Sequence, residues 1–147
     1  MYLHFLIKLL PTKPIFAHCD IPCGIYDPKP AQIAAATVLK MVSLINELKP
    51  STEEPPFDER KKIISQISRL TRVKEDHAEI CKKEVLILWT DYFKPEHLEK
   101  FPDLHDLIWK TAKLCSDNKR AVDEAKAKEL VAAVDKIADI FNETSHL

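Results

Sequence analysis

The sequence His18-Cys19-Asp20-Ile21-Pro22-Cys23-Gly24-Ile25-Tyr26-Asp27-Pro28 divides this chain into two unlike parts. Its two cysteines lie four positions apart, a histidine directly precedes the first of them, and Pro22 stands between them. Gly24 is the only glycine among the 147 residues. Because glycine adopts positive φ without a steric penalty, we expect a tight reversal of the main chain here. We call residues 18–28 the hook; the amphipathic patterns that determine the fold all follow it.

The composition indicates one globular helical domain. A chain of 147 residues with 46% hydrophobic and 31% charged residues is typical of that class. Ten prolines against one glycine, and the absence of Asn-Gly or Asp-Gly pairs, favour helices separated by proline-containing loops over strands. The formal net charge is −1 and the basic residues are scattered. We therefore expect no nucleic-acid partner and no membrane partner, since both need clustered positive charge.

Four amphipathic patterns follow the hook and predict an all-α, antiparallel four-helix bundle over about residues 31–143. The helices are expected at about 31–48, 57–92, 103–116 and 119–143. Phe93-Lys94-Pro95 ends the second helix, because the residue before proline is pushed out of the helical region. Ser116-Asp117-Asn118 is expected to form the turn between the last two helices. The last helix carries its apolar stripe on Leu130, Val134, Ile137 and Phe141.

Residues 1–17 differ from the rest of the chain. They begin with an apolar run that Lys8 interrupts and Pro11 ends, and this run is too short to cross a bilayer. The segment could be a secretory signal or a processed leader, but it lacks a charged start and a small residue three positions before Ala17. Cleavage after Ala17 would make His18 the first residue. We expect residues 1–17 to be a leader removed on maturation, and residues 18–147 to be a cytoplasmic domain.

The hook has the composition of a metal site. No second pair of Cys or His residues stands at the spacing of structural zinc. If His18 is the amino terminus, its amine, the deprotonated amide of Cys19 and the thiolates of Cys19 and Cys23 make four in-plane donors. Such nitrogen and sulfur donors suit Ni(II) or Cu(II), and the His18 imidazole remains as an axial ligand. The other two cysteines, Cys81 and Cys115, fall in helical patterns and are expected to be buried.

The hook resembles the metal-binding hook of the nickel-containing superoxide dismutases, whose pattern is H-C-x-x-P-C-G-x-Y. Leu88-Trp89-Thr90-Asp91-Tyr92-Phe93-Lys94-Pro95 resembles the helix-end segment of the same family, and the likeness covers most of residues 18–145. The resemblance implies a homohexamer of four-helix protomers. It also implies disproportionation of superoxide to dioxygen and hydrogen peroxide at a nickel ion that cycles between Ni(II) and Ni(III). A maturation protease would remove the leader before nickel is held.

The resemblance also implies the nickel ligands. His18 would supply its amine and imidazole, Cys19 its amide nitrogen and thiolate, and Cys23 its thiolate. Pro22 would turn the hook, and Asp20 matches a position close to the metal.

The resemblance assigns further residues around the metal. Tyr26 and Tyr92 match the tyrosines that line access to nickel, and we expect a small pocket with apolar walls around these two phenols. Lys94 is expected to attract the superoxide anion. Ala34 and His77 depart from the family, which often has a glutamate and an arginine there to brace the axial imidazole. His77, or backbone and water, would have to take that role.

Two other functions remain open from the residues alone. The first is a nickel- or copper-binding helical protein that uses the same hook without turnover. The second is a secreted helical interaction protein with a Cys19–Cys23 disulfide. Superoxide consumption by leader-free, nickel-loaded protein distinguishes the enzyme from the first alternative. The mass of the native chain distinguishes it from the second.

Overall fold

The structure, a computed structural model, describes residues 25–145, and this range consists of helices and their connections. The helices are α1 (Lys29–Glu47), α2 (Phe57–Ile87), α3 (Pro95–Lys100), α4 (Leu104–Arg120) and α5 (Glu124–Thr144). A π-helical turn, Leu88–Tyr92, continues α2. Within the described range, no helix combines the length and the apolar character that crossing a membrane requires.

The four long helices form the predicted bundle. Helix α1 packs against α2 and α5, and α4 packs against the same two helices. Short connections between successive helices make neighbours antiparallel. The prediction of an all-α, antiparallel four-helix bundle is therefore confirmed. The short helix α3 belongs to the connection from α2 to α4 and was not predicted as a helix.

The core lies between these four helices. The predicted stripe of α5 is entirely buried, because its members recur at the helical spacing and face the other three helices. Helix α1 contributes the small residues Ala31, Ala34 and Ala35, which let the facing helices approach closely. The core cluster also includes Val38, Val42, Ala78, Cys81, Val85, Leu88, Leu104, Ile108, Cys115, Ala127 and Ile140. Ile80, an apolar residue of α2, is exposed.

The turn expected at residues 116–118 is wrong: α4 continues to Arg120, and the chain reverses at residues 121–123. The reason is the side chain of Asn118, which is buried. Its Nδ2 donates to the carbonyl oxygens of Leu114 at 3.0 Å and Lys126 at 3.1 Å. The Nδ2 group of Asn118 is thus satisfied inside a helix rather than in a turn, while its Oδ1 has no hydrogen-bond partner within residues 25–145. Asp123 is the N-cap of the next helix, α5. Its Oδ1 accepts a hydrogen bond from the Lys126 N–H at 3.1 Å.

A buried lysine closes the end of α4. Lys74 on α2 is 1% exposed, and its Nζ donates to the main-chain oxygens of Asn118, Lys119 and Ala121. These are carbonyls that a helix end leaves without partners. Burial lowers the pKa of Lys74, and the nearby carboxylate of Glu75 opposes this effect only in part. The ammonium group therefore stabilises the helix end at the expense of its own hydration.

We expect Lys74→Met to lower the free energy of unfolding by about 1–3 kcal/mol, because buried carbonyls lose their donor. The pKa of Lys74 in the folded protein lies below its unfolded value of about 10.4. Between these two values the unfolded chain binds more protons than the folded protein. The stability of the wild type therefore rises with pH in that range. The stability difference between wild type and Lys74→Met should therefore grow as the pH rises through the folded pKa of Lys74 towards about pH 10. Denaturant titrations over that range measure it.

Lys83→Met is the matched control for this prediction, because Lys83 is exposed on the same helix. The free energy of unfolding of Lys83→Met should stay within about 0.5 kcal/mol of the wild-type value. A difference between wild type and Lys74→Met that does not change with pH would contradict the account.

Candidate active site

Three residues predicted to surround the metal line one cavity. Tyr26, Tyr92 and Lys94 border a space of about 520 Å³ near the start of the described chain. Tyr26 follows the hook's cysteines, whereas Tyr92 belongs to the π-helical turn and Lys94 precedes α3. A second groove, of about 540 Å³ along α2, shares only Asp91 with this cavity and contains none of the predicted site residues in the described range. The predicted residues therefore converge although 66 positions separate Tyr26 from Tyr92.

The two phenol rings contact each other, and Tyr92 is anchored to α5. The ring centroids of Tyr26 and Tyr92 lie 5.8 Å apart, and Tyr92 packs on Phe141 at 4.3 Å. The Tyr92 hydroxyl lies 2.9 Å from Thr144 Oγ1 and 3.4 Å from the Phe141 carbonyl oxygen. Since Thr144 itself donates to carbonyls of its own helix, Tyr92 is the donor towards Thr144. This phenol is thus held in place by the end of α5.

Lys94 brings a positive charge to the cavity. Its side chain is exposed, and within residues 25–145 it forms no ion pair. The second lysine of the cavity, Lys100, lies 3.8 Å from Glu143 and over the ring of Phe101 at 5.2 Å. Lys94 is therefore the cavity lysine whose charge no carboxylate of the described range neutralises by direct contact.

The remaining lining residues carry charged or hydroxyl groups; they are Asp91, Glu96, His97, Lys100, Thr144 and Ser145. Even so, apolar atoms contribute the larger share of the cavity surface that solvent reaches. Behind this surface, Phe93 contacts Tyr92 at 5.1 Å. The walls are therefore mainly apolar, as expected, with polar groups among them.

The predicted nickel ligands His18, Cys19 and Cys23, with Asp20, Pro22 and Gly24, lie outside the described residues. Residues 25–145 contain no group of three or more His, Cys, Asp or Glu side chains arranged to hold a metal ion. Any comparison of the donor set with a metal therefore rests on the chemistry of the hook itself.

Cys81 and Cys115 are buried as predicted, and both are free thiols. They come from α2 and α4 and meet in the core. A hydrogen bond with Cys115, together with burial, raises the pKa of the Cys81 thiol far above its ordinary value. A thiol that stays protonated is neither a metal ligand nor a nucleophile. This pair therefore acts as part of the core.

The positions that depart from the family pattern lie away from the cavity lining. Ala34 is buried on α1. His77 is half-buried on α2, and its Nδ1 lies 2.9 Å from the Val73 carbonyl oxygen, to which it donates. Neither residue lines the cavity, so bracing of the His18 imidazole by His77 stays a prediction.

Six lining residues were not predicted as site residues, and Asp91 and His97 are among them. Asp91 Oδ2 is buried and has no hydrogen-bond partner within residues 25–145. His97 is buried, with 7% of its surface exposed. The available signal was the spacing Lys94-Pro95-Glu96-His97: a helix that starts at a proline often carries a hydrogen-bond acceptor at its third position.

Comparison with known proteins decides the family. The sequence model of the nickel-containing superoxide dismutases matches residues 13–145, which is most of the chain. The chain belongs to this family. The resemblance inferred from the hook is therefore confirmed, and the protein is an enzyme that disproportionates superoxide with a nickel cofactor.

Relatives of this superoxide dismutase agree in sequence and in fold. It is 40% identical over 130 residues to the superoxide dismutase [Ni] of Streptomyces coelicolor, which covers 86% of this chain and 89% of that protein. The Streptomyces seoulensis protein is 39% identical over the same shares. A native nickel superoxide dismutase structure matches with a TM-score of 0.71 at 37% identity, covering 87% of this chain and 99% of that one. An apo structure matches with a TM-score of 0.71 at 33% identity, covering 84% and 100%.

Proposed function

We propose that the hook binds the catalytic nickel beside this cavity, with His18, Cys19 and Cys23 as ligands. One observation carries the proposal: Tyr26, near the end of the hook, lines the same cavity as Tyr92 and Lys94. Tyr26 lies three residues beyond Cys23, so their Cα atoms are at most about 11 Å apart. The last thiolate of the hook is thus within reach of the cavity.

The donor set of the hook fits nickel. An amine, an amide nitrogen and two thiolates, which His18, Cys19 and Cys23 would provide, are donors that suit a divalent nickel ion. Bound there, nickel would supply the one-electron couple between Ni(II) and Ni(III) on which disproportionation depends. The fit requires a free amine at His18, and we propose that cleavage after Ala17 by a maturation protease provides it. Cys81, whose pKa is raised by its hydrogen bond with Cys115 and by burial, offers no competing thiolate.

The chain's own side chains would deliver the anion. Superoxide carries a negative charge and the chain has a formal net charge of −1, so local positive charge must guide the substrate. Lys94 provides that charge at the cavity mouth, where direct ion pairing within the described range does not neutralise it. A focused positive potential raises association rates of anions.

The tyrosines would limit what reaches the metal. Tyr92 is fixed by Thr144 and Phe141, and it holds the ring of Tyr26 at 5.8 Å. We propose that the two rings together restrict access to the metal. The buried Oδ2 of Asp91, which also lines the cavity, has no hydrogen-bond partner within residues 25–145. It can therefore accept a hydrogen bond from a group outside that range. We propose that a main-chain N–H of the hook is that donor.

The assembly and location belong to the same proposal. A homohexamer would cover exposed apolar side chains such as Phe57, Ile64 and Trp109, which are 70%, 64% and 56% exposed in the single chain. Such exposure is typical of interaction surfaces when the side chains are contiguous. A cytoplasmic location suits a site that needs two free thiols, because that compartment keeps thiols reduced.

Analysis of the native protein tests the proposal. We expect an N-terminal sequence beginning at His18, one nickel ion per chain, a native mass of six chains, and superoxide consumption that is lost with nickel and restored with it. N-terminal sequencing, metal analysis, native mass spectrometry and a superoxide assay measure these. Nickel binding without turnover would favour a metal-binding protein, and a chain that retains Met1 and holds no nickel would overturn the assignment.

A further inference from the structure

His97 and Lys94 are joined by two reciprocal hydrogen bonds at the start of α3. The His97 N–H donates to the Lys94 carbonyl oxygen at 2.9 Å. In the other direction, the Lys94 N–H donates to His97 Nδ1 at 3.2 Å. The ring thus occupies the place of the glutamate or glutamine in a capping box. Through these two bonds, the main chain that carries the Lys94 side chain is fixed to the histidine.

The same ring contacts Tyr92. Its centroid lies 5.6 Å from that of Tyr92, with the planes inclined by 32°, and 5.9 Å from that of Phe93, nearly perpendicular to it. Because Nδ1 accepts a hydrogen bond, the proton of the neutral ring is on Nε2. The side chain is 7% exposed, so its contacts with Tyr92, Phe93 and Lys94 leave it little freedom.

We propose that His97 is a positioning residue of this enzyme, which sets the place of Lys94 relative to Tyr92. The inference rests on the proposed function, because it takes Lys94 and Tyr92 as parts of the reaction site. Lysine has a long, flexible stem, so the location of its charge depends on where the main chain releases it. The hydrogen bond to His97 Nδ1 fixes the main chain at Lys94, and the ring of His97 packs against the phenol of Tyr92. His97 therefore connects Lys94, which attracts superoxide, with Tyr92, which limits access to the metal.

Two substitutions separate the two contacts. His97→Gln keeps a hydrogen-bond acceptor at the third position of α3 but removes the ring. His97→Phe keeps an aromatic ring against Tyr92 but removes the acceptor. His105→Gln is the matched control, because His105 is an exposed histidine that contacts Trp89 at 5.2 Å and does not line the cavity.

The first measurement does not depend on activity. The amide hydrogen of Lys94 should exchange faster in His97→Phe than in wild type, because its acceptor is gone. In His97→Gln and His105→Gln its exchange should stay close to wild type. Nickel content and helical circular dichroism should be unchanged in all three variants. Equal exchange of this amide in His97→Phe and wild type would overturn the inference.

The second measurement is the ionic-strength dependence of the rate. Attraction of an anion by a fixed cation weakens as salt screens it, so the wild-type rate should fall with added salt. In His97→Phe we expect a rate about tenfold lower at low salt and a shallower salt dependence, approaching that of Lys94→Met. His97→Gln should retain the wild-type salt dependence.

The outcomes separate this role from the proposed function. An active wild type whose salt dependence is unchanged in His97→Phe would overturn the role of His97 alone. Loss of nickel or of helical structure in His97→Phe, with normal salt dependence of the remaining activity, would show a purely structural residue and also overturn it. A wild type without nickel-dependent activity would overturn the proposed function, and the role of His97 with it.

Discussion

Replacing Cys19 or Cys23 with serine is expected to reduce nickel-dependent superoxide consumption to the uncatalysed background. A serine hydroxyl stays protonated near neutral pH and is a hard oxygen donor, so it cannot replace a thiolate on nickel. Within residues 25–145, the hydrophobic core is complete between Ala31 and Phe141, so the proposed ligands are not needed to form it. We therefore expect the free energy of unfolding to change by no more than about 0.5 kcal/mol. Metal analysis, a superoxide assay and thermal melts followed by circular dichroism measure the three quantities.

The buried thiols provide the matched control for this result. Cys81→Ser and Cys115→Ser make the same chemical change in the core, where a hydroxyl must find a partner or lose hydration. These variants should bind nickel and turn over superoxide as long as they fold, but melt at a lower temperature. Nickel-dependent activity in Cys19→Ser or Cys23→Ser would contradict the ligand set.

One additional residue before His18 should also inactivate the enzyme, with every side chain of the hook unchanged. The extension converts the amine of His18 into an amide, which is a far weaker donor unless it is deprotonated. The chelate of amine, amide nitrogen and thiolate can then no longer form at His18 and Cys19. We expect loss of both tight nickel binding and superoxide consumption. Cleavage of two fusions, one beginning at His18 and one with an alanine before it, gives the proteins to compare.

Adding an alanine after Leu147 is the control for the extension, since it changes length and mass equally. That variant should match the wild type in nickel content and rate. A fully active enzyme with the alanine before His18 would show that the free amine is not a ligand.

The bundle was predictable because its strongest patterns are also its core. In α5 the stripe from Leu130 to Phe141 is buried as its spacing requires. The pattern of α2 was less reliable: Ile80 is exposed while Lys74 is buried, because tertiary hydrogen bonds to α4 outweigh the polarity of a lysine. The same kind of contact, made by Asn118 to Lys126, removed the expected turn. Such long-range bonds leave no periodic signal.

The site was predictable only through its motif. Hydrophobic periodicity does not indicate that Tyr26 and Tyr92 come together; the match of the hook and of the helix-end segment to one family did. The motif does not mark His97: its position rests on two contacts, to Lys94 and to Tyr92, and the sequence offers only the proline-start spacing as a signal. The polar groups among the mainly apolar walls were not expected, because the sequence does not show which groups loop and helix ends present to solvent.

The π-helical turn at Leu88–Tyr92 has a consequence for how this protein can vary. The Phe93 N–H donates to the Leu88 carbonyl oxygen at 3.0 Å, a bond that spans five residues instead of the four of an α-helix. Loss of one residue there would restore an ordinary helix and rotate everything beyond it by about 100°. Tyr92 would then leave Thr144 and Phe141 on α5, and Lys94 and His97 would move with it. Insertions and deletions in relatives should therefore avoid this pentapeptide, although the loops on either side of the bundle tolerate them.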